Sequence, residues 1–243
     1  MTEGGQSKAL TGKKKRFMKK IEPILYLLPA LIFFIGFTYY PFIKTFLSSF
    51  FLVDSMGGIR EFIGWENYQY VLTNPAFLQS IKNTLIYVAI SSPVAIFIAL
   101  LLAMIANKKT KMSPVYETLF ALTMAVSMSV AAMIFQLMYN PTIGVLNYVL
   151  GTHFNWLNDK KLAMIAISLI AVWLNIGYNF LFLLSAIRGM SADLLESAEL
   201  DGANVFQKTT KIILPMISPT VFYLICNSLA KNMMMSGLVL ILT

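Results

Sequence analysis

The sequence predicts an all-α membrane protein with five transmembrane helices. Three observations carry that prediction. Apolar residues gather into five runs, each near or above the roughly 20 residues a helix needs to cross a bilayer. Charged residues make up only 12% of the 243-residue chain and mean hydropathy is +0.71, whereas a soluble globular domain carries roughly 25% charge. The remaining Lys and Arg residues cluster at alternate ends of the runs, the asymmetry that orients helices in a membrane.

The chain opens with a basic tail, residues 1–23. Lys13, Lys14, Lys15, Arg16, Lys19 and Lys20 supply much of the net charge of +8. A run of this kind reads as a solvated tail, a nucleic-acid contact or a cytoplasmic membrane flank. The apolar segment that follows favours the flank, and no nucleic-acid partner is expected. That segment, about Ile24–Phe51 and interrupted by Pro41, exceeds the roughly 7–15 residues of a signal-peptide core, and no small-residue cleavage site follows it closely. It is read as a retained helix.

The second span runs roughly from Asn83 to Asn107 and contains Pro93; the third covers about Val115 to Tyr139; the fourth covers about Leu162 to Ile187. The fifth begins near Pro219, read as a first-turn residue where its missing N–H costs little. Lys108, Lys109 and Lys111 follow span two, and Arg188, Lys208 and Lys211 follow span four. With the tail, these place the N-terminus and the loop after span four on the cytoplasmic side. The alternate loops carry Arg60 and Lys82, then Lys160 and Lys161, a sparser set. Cys226 is alone and forms no internal disulfide.

The loop between spans four and five is polar and acidic: Glu196-Ser197-Ala198-Glu199-Leu200-Asp201-Gly202, then Ile212-Ile213-Leu214-Pro215. Ala198 offers a small packing face, Glu196, Glu199 and Asp201 offer charge, and Gly202 permits a bend other residues resist. The spacing E-x-A-x3-G-x9-I-x-L-P resembles the cytoplasmic coupling loop of permease subunits in binding-protein-dependent ABC importers, with Ser197 where the family has Ala. Further stretches resemble the first permease subunit of the carbohydrate-uptake branch, the maltose and glycerol-phosphate type. They are Leu28-Pro29-Ala30 with Tyr40-Pro41, Glu66-Asn67-Tyr68 with Asn83-Thr84-Leu85, and Asn140-Pro141 with Gly144, Asn147 and Asn155-Trp156-Leu157. They occur in order across nearly the whole chain.

The resemblance implies a membrane domain spanning residues 24–243 with a coupling segment at 188–218. It implies a bacterial cytoplasmic membrane location. It also implies assembly with a second homologous permease, an ABC ATPase dimer and an extracytoplasmic solute-binding protein. Glu196, Ser197, Ala198, Asp201, Gly202, Ile212, Leu214 and Pro215 would form the ATPase-coupling site. The family usually has six helices, its fifth leading into a Gly-Gly-Pro turn; this sequence stops at Ile241-Leu242-Thr243, about where that turn is expected. A sixth helix is therefore expected to be missing, through truncation, a gene fragment or artificial shortening.

Polar groups inside spans usually face the bundle interior. Asn175, Tyr178 and Asn179 share one face of span four, and Asn227 and Lys231 are one turn apart on span five. Asparagine donates and accepts at once, which suits hydroxyl-rich ligands. In maltose-type importers fifth-helix asparagines contact the sugar, and the resemblance puts Asn232 at a matching position. Each of these residues could instead serve interhelical hydrogen bonding. Lys231 could meet an anionic substrate, pair with the second permease, or be left free by the missing helix.

No G-x-x-x-x-G-K-[ST] phosphate loop occurs, so ATP hydrolysis would belong to a partner chain. His153 has no Cys, Asp or Glu arranged around it for a metal, and Met233-Met234-Met235 reads as deformable packing. No cofactor, metal or catalytic residue is expected. A secondary transporter or channel would require coupling carboxylates inside the spans, which are absent apart from Glu117 at the start of span three. The chain could also be a fragment that inserts without assembling, or an importer subunit for another solute class such as amino acids or peptides.

Overall fold

A computed structural model describes residues 22–107, 110–234 and 236–242. The basic residues Lys13–Lys20, with Lys108, Lys109 and Met235, lie outside the described residues. The chain divides into two compact units, Met1–Leu78 and Gln79–Thr243.

In the first unit, α1 (Glu22–Ser48) is an apolar helix long enough to cross a membrane, and none of its apolar core window is buried within the chain. Pro41 does not break it. The five residues before Tyr40 form a wider π turn in which the Tyr40 N–H donates to the carbonyl of Ile35, five residues back. The wider turn accommodates a proline ring that would otherwise crowd the preceding turn. The helix ends sooner than its apolar run. Phe51 belongs to β1 (Phe51–Val53), which pairs antiparallel with β2 (Ile59–Phe62). Asp54 closes this hairpin by accepting from the N–H groups of Met56 at 3.1 Å and Gly58 at 2.7 Å. Next comes α2 (Glu66–Thr73). Here the Glu66-Asn67-Tyr68 stretch acts as a tether. The Asn67 amide donates to the carbonyls of Ser49 and Phe51, and the Tyr68 hydroxyl lies 2.7 Å from Ser49 Oγ.

Most of α3 (Pro75–Ala106) lies in the second unit, and it starts earlier than the apolar run alone indicates. The third span is not one straight helix. α4 (Ser113–Ala125) and α5 (Met128–Met138) meet at 100°. Val126 is extended between them and Ser127 caps α5 by accepting from the Val130 N–H. α6 (Val145–Leu150) follows, and buried Asn147 anchors its surroundings: it accepts from Trp156 Nε1 at 2.9 Å and donates to the Phe154 carbonyl at 2.9 Å.

Asp159 caps α7 (Lys160–Arg188), accepting from the N–H groups of Lys161 and Leu162. Those bonds, from Leu162 first, hold its carboxyl below the usual aspartate range. The acidic segment after α7 is itself a helix, α8 (Ala192–Leu200). The fifth span begins well before Pro219, as α9 (Val205–Met233), with Pro219 inside it. Asn204 and Gln207 form the capping box that starts it early. A second π turn, Thr209–Ile213, precedes Pro215, repeating the device of α1. A short α10 (Ser236–Leu242) packs on α5. Among the described residues four helices are long and apolar enough to cross a membrane, or five with the bent α4–α5 pair counted as one span.

The second unit buries two apolar clusters. One gathers Val88, Ala131, Tyr139, Ile170 and Leu238; the other gathers Ile96, Ala103, Phe180, Leu183 and Leu224. Alanines at Ala95, Ala99 and Ala103 keep one face of α3 narrow, and Gly177 lets α7 approach α4 so closely that a Cβ there would strike the Phe120 carbonyl and Thr123 Oγ1. Small residues of this kind are what membrane helices use to pack closely.

Candidate functional site

Two features of the second unit stand apart from apolar packing. The first is the elbow between α7 and α9. Arg188, in the last turn of α7, donates from Nη2 to Glu117 Oε1 at 2.8 Å and to the Ala106 carbonyl at 3.0 Å. It thereby ties together the adjacent ends of α3, α4 and α7. Ser191 then precedes α8, with Asp193 in the first turn where a negative charge suits the helix dipole.

The far end of α8 explains the Ala-x3-Gly spacing. Gly202 adopts φ 77°, in the left-handed region. Its N–H donates to the carbonyl of Glu199 at 3.0 Å, and the Ala203 N–H donates to the carbonyl of Ala198 at 2.9 Å. This pair of bonds is a Schellman termination, with glycine where L side chains are strained. Ala198 is buried against the rest of the chain, while Glu196, Ser197 and Asp201 are exposed. Lys208 Nζ donates to Glu199 Oε1 at 2.6 Å, linking the two arms of the elbow. That hydrogen bond, then the lysine's charge, holds the Glu199 carboxyl below the usual glutamate range. Ile212 and Leu214 are half-buried and Pro215 is exposed. Leu200 is 90% exposed, and Val205 and Phe206 beside it are also turned outward. The elbow therefore exposes three apolar side chains, Leu200, Val205 and Phe206, together with the carboxylates of Glu196 and Asp201.

The second feature is a polar layer between the two apolar clusters. Ser91 and Ser92 lie in the middle third of the 32-residue α3, and Asn175 and Tyr178 lie in the middle third of the 29-residue α7, with Asn179 just beyond them. Asn232, only 3% exposed, donates to Ser92 Oγ at 2.8 Å and Ser91 Oγ at 3.1 Å. The Asn175 amide donates to the Ala171 carbonyl at 2.8 Å and approaches Asn232 Oδ1 at 3.5 Å. The structure thus joins Asn232 and Asn175 with two serines that the sequence pattern did not single out. Their signal was a pair of adjacent hydroxyls in the middle of an apolar run.

Asn179 is fully buried, and neither amide atom has a partner among the described residues. Tyr178 meets Lys231, whose ammonium lies 4.3 Å from the ring centroid, and its hydroxyl lies 2.7 Å from that of Tyr223. Asn227 is half-buried, one turn before Lys231. A cavity of about 380 Å³, lined among others by Asn83, Thr84, Tyr87, Met164 and Asn232, opens beside the layer.

The family described as "Binding-protein-dependent transport system inner membrane component" matches residues 91–243, which include both features. The chain is 32% identical to the sn-glycerol-3-phosphate transport system permease protein UgpA of Agrobacterium fabrum, over 86% of its length and 72% of that protein's. It is 34% identical to the protein of the same description from Rhizobium meliloti, with the same coverage, and 33% identical to the probable ABC transporter permease protein YurN of Bacillus subtilis, covering 86% and 74%. Among solved structures, one chain of a bacterial ABC transporter involved in import of the acidic polysaccharide alginate superimposes with a TM-score of 0.77 at 23% identity, over 95% of this chain and 80% of that one. A chain of the bacterial alginate ABC transporter in complex with its pentasaccharide-bound periplasmic protein gives 0.76 at 25% identity, over 93% and 79%.

Proposed function

We propose, because this chain belongs to the family of inner-membrane components of binding-protein-dependent transport systems, that it forms one half of the translocation pathway of an ATP-driven importer for a carbohydrate or polyol, phosphorylated polyols included. It is a non-catalytic transport subunit, as its relatives are permeases. Its membrane domain covers residues 24–243, with the N-terminus and the elbow on the cytoplasmic side. A second homologous permease completes the pathway, an ABC ATPase dimer binds below, and an extracytoplasmic binding protein delivers the solute.

The single observation that carries this reading is the elbow. A partner that moves a membrane helix needs a handle that does not bend. The Schellman turn at Gly202, the Glu199–Lys208 pair and the Arg188–Glu117 pair supply one, with Leu200, Val205 and Phe206 left uncovered for the ATPase. Closure of the ATPase dimer would push the elbow, and α7 and α9 would move with it. Glu196, Ser197, Ala198 and Asp201 shape the docking helix, and Ile212, Leu214 and Pro215 connect it to α9. The polar layer, with Asn175, Tyr178, Asn179, Asn227, Lys231 and Asn232, would supply the pathway. The described spans α3, α7 and α9 contain no carboxylate for ion coupling, which favours this mechanism over secondary transport.

The test is co-purification of the tagged chain with a sugar-importer ATPase, comparing wild type with Gly202→Asp and Glu196→Lys. Retention by wild type and loss by variants that still insert would establish the docking site. Failure of wild type to retain the ATPase, even with its permease partner co-expressed, would overturn it.

A further inference from the structure

α9 presents two stripes about 100° apart, one buried and mixed, the other polar. One, with Ile217, Leu224, Ser228 and Asn232, is buried in the second unit. The other carries Thr220, Tyr223, Asn227 and Lys231 at helical spacing and is exposed or half-buried. The depth of this second stripe is fixed by its neighbours. The Lys231 ammonium sits over Tyr178, in the middle third of α7, beside the layer built on Asn232. Lys231 takes part in none of the three ion pairs among the described residues.

A free ammonium at this depth is costly against lipid, so the face that carries it belongs to a water-filled path or a polar partner. The aromatic contact stabilises the cation without neutralising it. Two hydroxyls, Tyr178 and Tyr223, and the Asn227 amide stand on the same side. Hydroxyl and amide groups around one uncompensated positive charge suit a ligand with hydroxyls and one negative group.

Resting on the proposed importer function, we infer that the Tyr223–Asn227–Lys231 stripe lines the translocation pathway and that Lys231 is a specificity-determining residue. It selects polyols or saccharides bearing a phosphate or carboxylate. Between transport events its ammonium rests on the Tyr178 ring; the anionic group draws it off that ring as the solute passes.

The test uses the assembled transporter in membrane vesicles, with Asn227→Cys in a Cys226→Ala background. Water-soluble methanethiosulfonates of opposite charge report both access and local potential. With each rate normalised to that reagent's rate with a free thiol in solution, the anionic reagent should label about tenfold faster than the cationic one, the scale of a unit charge several ångströms away in a partly wet site. Lys231→Gln should erase that preference and Lys231→Arg should keep it. No labelling, or an unchanged preference in Lys231→Gln, overturns the inference. A parallel uptake assay compares sn-glycerol 3-phosphate with uncharged maltose. Lys231→Gln should lower uptake of the phosphate ester selectively. Uptake of maltose alone, unaffected by Lys231→Gln, leaves the importer reading intact and overturns the selectivity. Uptake of neither solute counts against the importer reading, while the labelling still decides whether Lys231 charges an aqueous path.

Discussion

Arg188 Nη2 lies 2.8 Å from Glu117 Oε1, joining the last turn of α7 to α4 a few residues before the elbow begins. Both side chains are about three-quarters covered, and the same guanidinium also holds the Ala106 carbonyl. Removing the acid leaves a partly buried cation short of a partner. Glu117→Gln should therefore cost about 1–3 kcal/mol, read as a lower unfolding temperature in detergent. Arg188→Met should do the same and also loosen the elbow from α3. Wild-type melting of both variants would show the pair to be incidental.

Gly177 should tolerate no side chain. A Cβ would meet the Phe120 carbonyl, which is backbone and cannot rotate aside. Gly177→Ala should force α4 and α7 apart and cost about 1–3 kcal/mol, the range for overpacking. Trimming Thr123 to Ala should not rescue it, since the carbonyl remains. A Gly177→Ala protein with unchanged stability would disprove the close approach.

Glu199 and Lys208 make the elbow sensitive to acid. The lysine bond lowers the Glu199 pKa relative to the unfolded chain, so the stabilisation is complete above the ordinary glutamate value of about 4.3 and is lost as pH falls through the lowered one. A carboxyl-carbon NMR titration should place the Glu199 midpoint below the ordinary range. Lys208→Met should return it there; an unmoved midpoint in that variant would exclude the bond as the cause.

Asn232 tests whether the polar layer binds helices together. Asn232→Ala removes donors to Ser91 and Ser92 and should cost about 1–2 kcal/mol, on the scale of interhelical hydrogen bonds in membranes. A double-mutant cycle with Ser92→Ala should give a coupling of about 0.5–1 kcal/mol. Zero coupling, with transport lost at unchanged stability, would assign Asn232 to the solute alone.

The helical membrane class and the family were legible from the apolar runs and the Glu196–Pro215 spacing, and the family match covers residues 91–243. Other features were hidden for physical reasons. The 100° bend between α4 and α5 occurs without Pro or Gly, at Val126 and a capping Ser127, inside a run broken near the bend only by small hydroxyl residues such as Thr123 and Ser129. Pro219 looked like a helix start, but a start is set by caps, and Asn204 with Gln207 provides one much earlier. The acidic loop proved helical because Ser191 and Asp193 suit a first turn and Gly202 a last. In the candidate site, Asn175 and Asn232 were visible as asparagines in apolar spans. Their partners were not, because Ser91 and Ser92 are far from them in sequence and hydroxyls in helices usually bond their own backbone.

The polar layer has a mechanical consequence. Interlocked apolar side chains can slide only by opening voids, which makes each cluster of the second unit behave as a solid block. Asn232 holds Ser91 and Ser92 at once, so a shift of α9 along α3 would have to give up both bonds together. Between the two apolar blocks the layer is therefore a latch made of directional bonds. A relative movement of α9 and α3 would release it beside the point where Tyr178 and Lys231 meet, while the packing on either side stays intact.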